Sequence, residues 1–329
     1  MKILVTGGAG FIGSNVVDSY IKRGHTVVVV DNLLTGRKEN VHPKAKFYPM
    51  NIGSPELKEI FKRERPEVVN HHAAQVSVPD SVKNPLFDAE VNILGLINVL
   101  QCCITHRVRK IIFASTGGAI YGEPEEYPTS ESYVPIPLSP YAITKLASEH
   151  YLSFYRHEYG IDFTVLRYAN IYGPRQVPQG EAGVVAIFTE NLLKGKPSYL
   201  YCYQDEPEGM VRDYCYVGDV VWANLLVLER GSGEIFNIGT GVGTKTLEVY
   251  QKLYEILGGP SELKDPIPKP ARKGDLKRSC LNIEKAKKTF IFAGMRYQHN
   301  YSWICSWEMN AFATFTRTMA LMSVLFAFR

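Results

Sequence analysis

Apolar runs alternate with amphipathic stretches through the first half of the chain. Lys2–Thr6 is an apolar run that ends in glycines, and Thr26–Val30 is a second. Between them, Phe11 to Arg23 places its apolar residues on one face of a helix that ends at Gly24. The same pattern predicts three further strands, at Glu67–Asn70, Lys110–Ala114 and Val165–Tyr168. This alternation is typical of an α/β fold with a doubly wound parallel sheet, in which ligands bind beyond the carboxyl ends of the strands.

The first strand–helix turn indicates a dinucleotide site. Gly7, Gly10 and Gly13 let the backbone approach a pyrophosphate, and the following helix offers unpaired N–H groups at its positive end. Asp31 ends the second strand, 18 positions after Gly13, where a carboxylate can accept both hydroxyls of a ribose. Because its charge would repel a 2′-phosphate, Asp31 favours NAD over NADP.

A Tyr–Lys pair indicates that the site transfers a proton. Ser139 suits a helix N-cap and Pro140 the first helical position, so Tyr141 and Lys145 are i and i+4 on one face. A free tyrosine, with a pKa near ~10, is a poor base at neutral pH. A cation about 4 Å away, in an effective dielectric near ~20, offers roughly 4 kcal/mol to the tyrosinate. We therefore expect Lys145, helped by an oxidised nicotinamide, to lower the pKa of Tyr141.

Composition excludes several other classes. The chain has 329 residues and a net charge of +4 spread along its length, so nucleic acid is not an expected partner. Its six cysteines lack metal-ligand spacing, and His71 and His72 point to opposite faces of a strand, so no metal site is predicted. The opening strand is too short an apolar run for a signal peptide, so we expect a cytoplasmic protein without a membrane segment.

Residues 1–288 resemble the UDP-glucose/UDP-galactose 4-epimerase branch of the extended short-chain dehydrogenase/reductase family. The matching stretches are TGGAGFIGS, VDNLLTG, HAAQVSV, STGGAIYGE, SPYAITK, LRYANIYGPRQ, GEAGVVAIF, VRDYCYVGDV, FNIGTG and RKGDLKRS. The resemblance implies a Rossmann-type sheet with a smaller C-terminal α/β domain, tightly held NAD, a UDP-sugar substrate and C4 epimerisation through a 4-keto intermediate.

The resemblance also implies roles for individual residues. Tyr141 would be the general base and acid, Lys145 would hold the nicotinamide ribose, and Thr116 would bond the sugar O4, with Ser115 as a weaker alternative for that bond. The implied cofactor contacts are Gly7, Gly10, Phe11, Ile12, Gly13, Asp31, Asn32, Leu33, Thr35, Gly36, Asn51, Ile52, His72, Ala73, Ala74, Gln75, Asn92, Ser115, Tyr141, Lys145 and Tyr168. The implied substrate contacts are Thr116, Gly117, Asn170, Val184, Tyr201, Arg212, Arg272, Asp275 and Ser279.

The chain departs from relatives at several positions. Asn51 stands where they usually carry an aspartate on the adenine, and its amide oxygen can still accept that bond. Ser279 replaces a bulky tyrosine of some relatives, which leaves room for an N-acetyl group. Gly117 and Gly118 replace the carboxylate pair of dehydratases, which argues against a 4,6-dehydratase. A non-catalytic NAD-binding protein is a further alternative, although such proteins can lose the Tyr or Lys that this chain keeps.

The domain limits follow from the same resemblance. We expect the NAD-binding domain at 1–166 plus about 211–240, and the nucleotide-sugar domain at about 167–210 and 241–329. Helices near Leu86–His106 and Tyr141–Tyr159 are expected to pair two copies into a homodimer. Thr289–Arg329 matches no relative, carries only four charged residues, and reads like a translation in a shifted frame or a hydrophobic closing element.

Overall fold

The computed structural model describes residues 1–178, 183–272 and 274–291. The strands are β1 (Lys2–Thr6), β2 (Thr26–Asp31), β3 (Lys46–Pro49), β4 (Val68–His71), β5 (Lys110–Thr116), β6 (Asp162–Tyr168), β7 (Asn170–Tyr172), β8 (Tyr199–Cys202), β9 (Val211–Tyr216), β10 (Glu234–Ile238), β11 (Gly243–Lys245), β12 (Ile267–Pro270) and β13 (Arg278–Ser279). The helices are α1 (Phe11–Lys22), α2 (Leu57–Glu64), α3 (Val78–Lys83), α4 (Pro85–Ala89), a π-helical segment (Glu90–Leu94), α5 (Gly95–Thr105), α6 (Gly117–Ile120), α7 (Pro140–Tyr159), α8 (Val184–Leu193), α9 (Val217–Leu226), α10 (Thr246–Leu257) and α11 (Glu284–Ile291).

Seven parallel strands form the main sheet, in the order β10-β6-β5-β4-β1-β2-β3. Its central strands are apolar because both of their faces are covered. One buried cluster lies on the face of α1 and α9, and a second lies on the face of α2, α5 and α7. The predicted fold class is therefore confirmed, and the strand order reverses beside β1, where a ligand crevice is expected.

A second, smaller unit follows the main sheet. In it β9 pairs with β7, β11 and β13, and β8 pairs with β12. An apolar cluster between α8 and α10 supports these short strands. The expected domain limits, 1–166 plus about 211–240 for the NAD-binding domain, stay a prediction. Within them, the segment 211–216 pairs with β7 in the smaller sheet, whereas β10 pairs with β6 in the main sheet.

The last described helix, α11, joins the unmatched C-terminal segment to the main sheet. Phe290 lies 4.9 Å from Phe236 between ring centroids, and its carbonyl accepts a hydrogen bond from Arg230. The predicted frame-shifted or closing segment continues beyond Ile291, outside the described residues. In the described part of the chain, one helical stretch, Pro85–Thr105, is long and apolar enough to cross a membrane by length and composition, and it packs into the core through Leu96 and neighbouring residues.

Candidate active site

The glycine turn after β1 leaves space that side chains would fill. Gly7 has a positive φ of 69°, and a Cβ there would lie 2.6 Å from the backbone nitrogen of Ala73. A Cβ at Gly13 would lie 2.2 Å from the Gly7 carbonyl oxygen. No side chain caps α1, and its first turn holds no acidic residue. The turn therefore presents free N–H groups to an anion, and the predicted contacts Gly7, Gly10, Phe11, Ile12 and Gly13 all lie in it.

Asp31 connects this turn to the loop after β2. Its Oδ2 accepts a hydrogen bond from Ala9 N at 2.9 Å, and its Oδ1 accepts one from Leu33 N at 2.8 Å. The carboxylate is buried, yet each oxygen keeps a second acceptor position for a ribose hydroxyl. A Cβ at Gly36 would lie 2.9 Å from Asp31 Oδ1, so glycine keeps the approach open. Asn32 and Thr35 are exposed in the same loop.

The loops after β3 and β4 border the same edge. Asn51 Oδ1 accepts a hydrogen bond from Gly53 N at 2.9 Å, and Ile52 is buried. Asn92 accepts from Gln75 N and donates to Gln75 O, at 2.9 and 3.0 Å. Asn92 therefore holds the backbone of the Ala73–Gln75 loop in place, which the sequence alone did not indicate.

His72 carries an unpaired buried nitrogen at this edge. Its Nε2 lies 3.2 Å from the Tyr168 hydroxyl, and that hydroxyl accepts a hydrogen bond from Asn224 Nδ2. With the hydroxyl assigned as the donor to Nε2, the ring proton lies on Nδ1, and the other tautomer would reverse these roles. Burial lowers the pKa of His72 to about 3, so the ring is neutral. Nδ1 has no hydrogen-bond partner among the described residues, and a buried donor in this position suits an oxygen of a dinucleotide.

The catalytic candidates meet at the carboxyl end of β5. Ser139 caps α7 by accepting a hydrogen bond from Ala142 N, and Pro140 is the first helical residue, as predicted. Lys145 Nζ donates to the Ala114 carbonyl at 2.9 Å and lies 5.9 Å from the centroid of the Tyr141 ring. Thr116 ends β5, and its interaction with the Tyr141 phenol acts to lower the pKa of that phenol. One surface thus holds a phenol, an ammonium and a hydroxyl.

The expected pKa shift of Tyr141 is not what the protein alone produces. Burial raises the pKa of Tyr141 to about 12, Thr116 opposes the rise and Asp88 adds to it. Burial also lowers the pKa of Lys145 to about 8, against the attraction of Asp88 and Glu149. Lys145 is directed at a backbone carbonyl and not at the phenolic oxygen, so its charge does not offset the desolvation of Tyr141.

Ser115 belongs to a different contact set from Thr116. Its hydroxyl donates to Glu149 Oε1 at 2.5 Å. Glu149 also forms a buried bidentate pair with Arg167, with Nη2–Oε2 at 2.6 Å and Nε–Oε1 at 3.0 Å. Both residues face α7, but Ser115 contacts Glu149 in the middle of that helix, while Thr116 lies beside Tyr141 at its start. The geometry therefore favours Thr116 over Ser115 for a bond to a substrate.

Gly117 is a packing requirement. A Cβ at Gly117 would lie 2.4 Å from Leu281 Cδ1 and 3.2 Å from the Arg167 carbonyl oxygen. Leu281 is itself buried, so a side chain at Gly117 has little room. At Gly118 a Cβ would lie 3.5 Å from Asn170 Oδ1, an ordinary contact.

Apart from Thr116 and Gly117, the predicted substrate contacts lie on or beside the smaller sheet. Arg212 and Ser279 are register partners on β9 and β13. Arg212 Nη2 donates to the Leu276 carbonyl at 2.7 Å, next to Asp275. Asn170 Oδ1 is buried without a partner in the described residues and therefore suits a donor from a ligand. Val184 is the first residue of α8.

Two further predicted contacts, Tyr201 and Arg272, lie against one another. The guanidinium carbon of Arg272 is 4.1 Å from the centroid of the Tyr201 ring, and Arg272 N donates to Asp275 Oδ2 at 3.0 Å. Arg212, Asp275, Arg272 and Tyr201 thus form one group, with two guanidinium side chains that can pair with phosphate oxygens. The structure brings the predicted residues into two adjoining sets, one at the main sheet's edge and one on the smaller sheet.

Comparison with known proteins identifies the family of this chain. The profile of the NAD dependent epimerase/dehydratase family matches residues 3–239. The chain belongs to this family. The family resemblance found in the sequence is thereby confirmed, and the family is described as NAD dependent.

Similar proteins extend the match over most of the chain. The UDP-glucose 4-epimerase of Mycolicibacterium smegmatis is 43% identical over 294 residues, which are 88% of this chain and 92% of that protein. The Thermotoga maritima UDP-glucose 4-epimerase, solved with UDP-glucose, is 48% identical with a TM-score of 0.86, covering 96% of this chain and 99% of its own. The Thermus thermophilus UDP-glucose 4-epimerase, solved with NAD, is 46% identical with a TM-score of 0.83, covering 93% and 97%.

Proposed function

We propose that this protein is an isomerase that interconverts UDP-glucose and UDP-galactose at C4 with NAD. The observation that carries the proposal is the meeting of Tyr141, Lys145 and Thr116 at the end of β5, beside the glycine turn. The names and coverage of the similar proteins support the substrate.

The geometry assigns a task to each side chain. When bound, the oxidised nicotinamide supplies a reversible hydride acceptor and a positive charge. Tyr141 takes the proton from the sugar O4 and later returns it, Thr116 orients that oxygen, and Lys145 adds positive charge to the ribose side. Because burial alone raises the pKa of Tyr141 to about 12, the phenol needs the bound cofactor's charge to act near neutral pH.

The sugar-nucleotide group would anchor the substrate while its sugar turns over. We propose that Arg212 and Arg272 pair with the diphosphate, with Asn170, Tyr201, Asp275 and Val184 beside it. Arginine suits this task because its fork pairs bidentately with phosphate oxygens. Ser279 is the last residue of β13, and its side chain is smaller than the tyrosine of some relatives, which favours a sugar with an N-acetyl group.

We further propose a homodimer formed by α4, the π-helical segment, α5 and α7. Leu86 and Leu94 are 83% and 61% exposed, and Ile143 and Phe154 on the adjacent α7 are 53% and 50% exposed. Exposed apolar side chains on adjacent elements fit a second copy of the same chain. A cytoplasmic location is also proposed, since Cys102, Cys103 and the other described cysteines are free.

The deciding experiment offers UDP-glucose, UDP-galactose, their N-acetyl forms and UDP-glucuronate without added NAD. We expect UDP-glucose and UDP-galactose each to be converted to its C4 epimer. Chromatography measures the conversion. A 4-keto-6-deoxy product would instead indicate a dehydratase, which the absence of side chains at Gly117 and Gly118 disfavours. No conversion of any sugar by protein that retains NAD would support the non-catalytic alternative.

A further inference from the structure

Asp88 is a carboxylate that is hydrogen-bonded by uncharged side chains. It lies on α4 and is fully buried. Its Oδ2 accepts a hydrogen bond from Thr144 Oγ1 at 2.7 Å. Its Oδ1 accepts from Gln75 Nε2 at 2.9 Å and Asn92 Nδ2 at 3.1 Å. These donors are neutral, and no ion pair to Asp88 is found among the described residues.

The three donors come from the three elements that build the site. Thr144 lies on α7 between Tyr141 and Lys145. Gln75 lies in the loop after β4, and Asn92 lies in the π-helical segment and hydrogen-bonds to the backbone of that loop. π-Helical turns are rare in proteins overall, but those that occur are often at functional sites. Asp88 therefore links the catalytic helix to the loop that borders the proposed nicotinamide position.

The charge of Asp88 also reaches the Tyr–Lys pair. The elements packed around α4 carry other ionisable groups near these contacts. They are Tyr141, Lys145 and Glu149 on α7, Asp80 and Lys83 on α3, Glu90 in the π-helical segment, and His72 before Gln75. Asp80 and Lys83 pair with one another in solvent, and Glu149 pairs with Arg167. His72 is neutral and Glu90 is exposed. Lys145 is thus the buried cation left to balance Asp88.

We infer that Asp88 is a positioning residue for the epimerase reaction, which fixes α7 against the loop after β4 and supplies the negative charge that balances Lys145. This inference rests on the proposed function. The anion acts through Thr144, Gln75 and Asn92 and touches no reacting atom, so it differs from the catalytic Tyr141. Its charge raises the pKa of both Tyr141 and Lys145.

Three variants separate the tether from the charge. Asp88→Asn removes the charge and keeps the size. Thr144→Val cuts the bond to α7 and keeps the charge. Asp80→Asn removes an exposed carboxylate from the neighbouring helix and is the matched control. Each is assayed for kcat and KM with UDP-galactose from pH 5 to 10, for thermal unfolding, and for NAD retained after gel filtration.

Asp88→Asn should lower kcat at the optimum by about tenfold while KM stays within about twofold, because α7 is misplaced by a fraction of an ångström. Without the anion, the pKa values of Tyr141 and Lys145 fall, so both limbs of the pH profile should move to lower pH by about 0.5–1 unit. Thr144→Val should lower kcat with the limbs unmoved. Asp80→Asn should match the wild type throughout.

Two outcomes overturn the inference. One is an Asp88→Asn protein with wild-type kcat, pH limbs and NAD retention. The other is a lowered kcat with unmoved limbs and a lowered unfolding temperature, which would make Asp88 structural only. If the wild type epimerises no sugar, the proposed function fails, and NAD retention still decides: Asp88→Asn must release NAD more readily than Asp80→Asn, because Gln75 loses its anchor.

Discussion

The two halves of the molecule hold their site residues in different ways. At the main sheet's edge, Asp31 and Asn92 are buried and bonded to backbone groups of neighbouring loops. On the smaller sheet, Arg212 is bonded to the Leu276 carbonyl, whereas Arg272 is exposed and lies against the Tyr201 ring. The neighbouring Lys277 and Arg278 pair with Asp205 and Glu206 on an exposed surface. Exposed ion pairs contribute about 0–1 kcal/mol each, so they constrain geometry weakly.

This difference suits the proposed reaction. Hydride and proton transfer need atoms held to within a fraction of an ångström, which the buried network at the main sheet provides. The 4-keto sugar must turn over between two hydride transfers, which close contacts to the sugar would prevent. The main-sheet half, here called the firm half, would hold the reacting atoms. The smaller-sheet half, here called the polar half, would hold the nucleotide while the sugar turns over.

The largest effect is expected where the firm half does its chemistry. Tyr141→Phe removes the hydroxyl that moves the O4 proton and should lower kcat by about 10²–10⁴-fold with little change in unfolding temperature. Tyr151→Phe, on the exposed part of the same helix, is the control and should keep full activity. Turnover by Tyr141→Phe at the wild-type rate would contradict both the mechanism and the contrast between the halves.

The polar half should respond through binding instead. Arg212→Lys keeps the charge but loses the fork that can pair with two phosphate oxygens and that reaches the Leu276 carbonyl. We expect KM for UDP-galactose to rise by about 10–30-fold, with kcat changed by less than about threefold. Arg278→Lys, whose guanidinium pairs with Glu206 at the surface, is the matched control. A loss confined to kcat would place Arg212 in the chemistry.

The sequence predicted the local parts of this site better than the long-range ones. The capping and catalytic residues at the start of α7 lie within two helical turns, so capping preferences and i, i+4 spacing predict their positions. They are Ser139, Pro140, Tyr141 and Lys145. Asp88 needs partners from three distant segments, and no periodicity identifies those partners. The raised pKa of Tyr141 was not predicted either, because it depends on the burial of the phenol by distant parts of the chain.

The buried pair Glu149–Arg167 was also missed. A signal existed, since Glu149 follows Lys145 by four residues on the same helix face. Arg167, however, alternates with apolar residues on β6, and the pattern gives no hint that its charge is matched across the sheet. Local pattern predicts which residues are buried, but not how a buried charge is paired.

A third test addresses the contact between the halves. Gly117→Ala would place a methyl group 2.4 Å from Leu281 Cδ1, and crowding of this kind costs about 1–3 kcal/mol. Gly118→Ala meets only an ordinary contact and is the matched control. Urea unfolding should show the loss for Gly117→Ala alone. Equal stability of the two variants would mean that Leu281 moves aside and that the halves are less firmly joined.

The smallest effect concerns acid stability of the firm half. Burial lowers the pKa of both His71 and His72 to about 3. Their folded-state pKa values lie below the unfolded value, so their neutral forms favour folding above pH ~6.5, and this contribution is lost as pH falls toward 3. From pH 6.5 to 5.5, each histidine should lower the free energy of unfolding by about 1 kcal/mol.

His72→Leu should remove one of these two contributions, so the loss of stability over that pH interval should shrink by about 1 kcal/mol. Tyr168→Phe breaks the same hydrogen bond but leaves the histidine in place, so its pH dependence should equal that of the wild type. Urea unfolding at the two pH values measures both variants. If His72→Leu kept the wild-type dependence, His72 would already take up its proton in the folded state, and its Nδ1–H could not be the fixed, neutral donor that we assign to the dinucleotide side of the sheet.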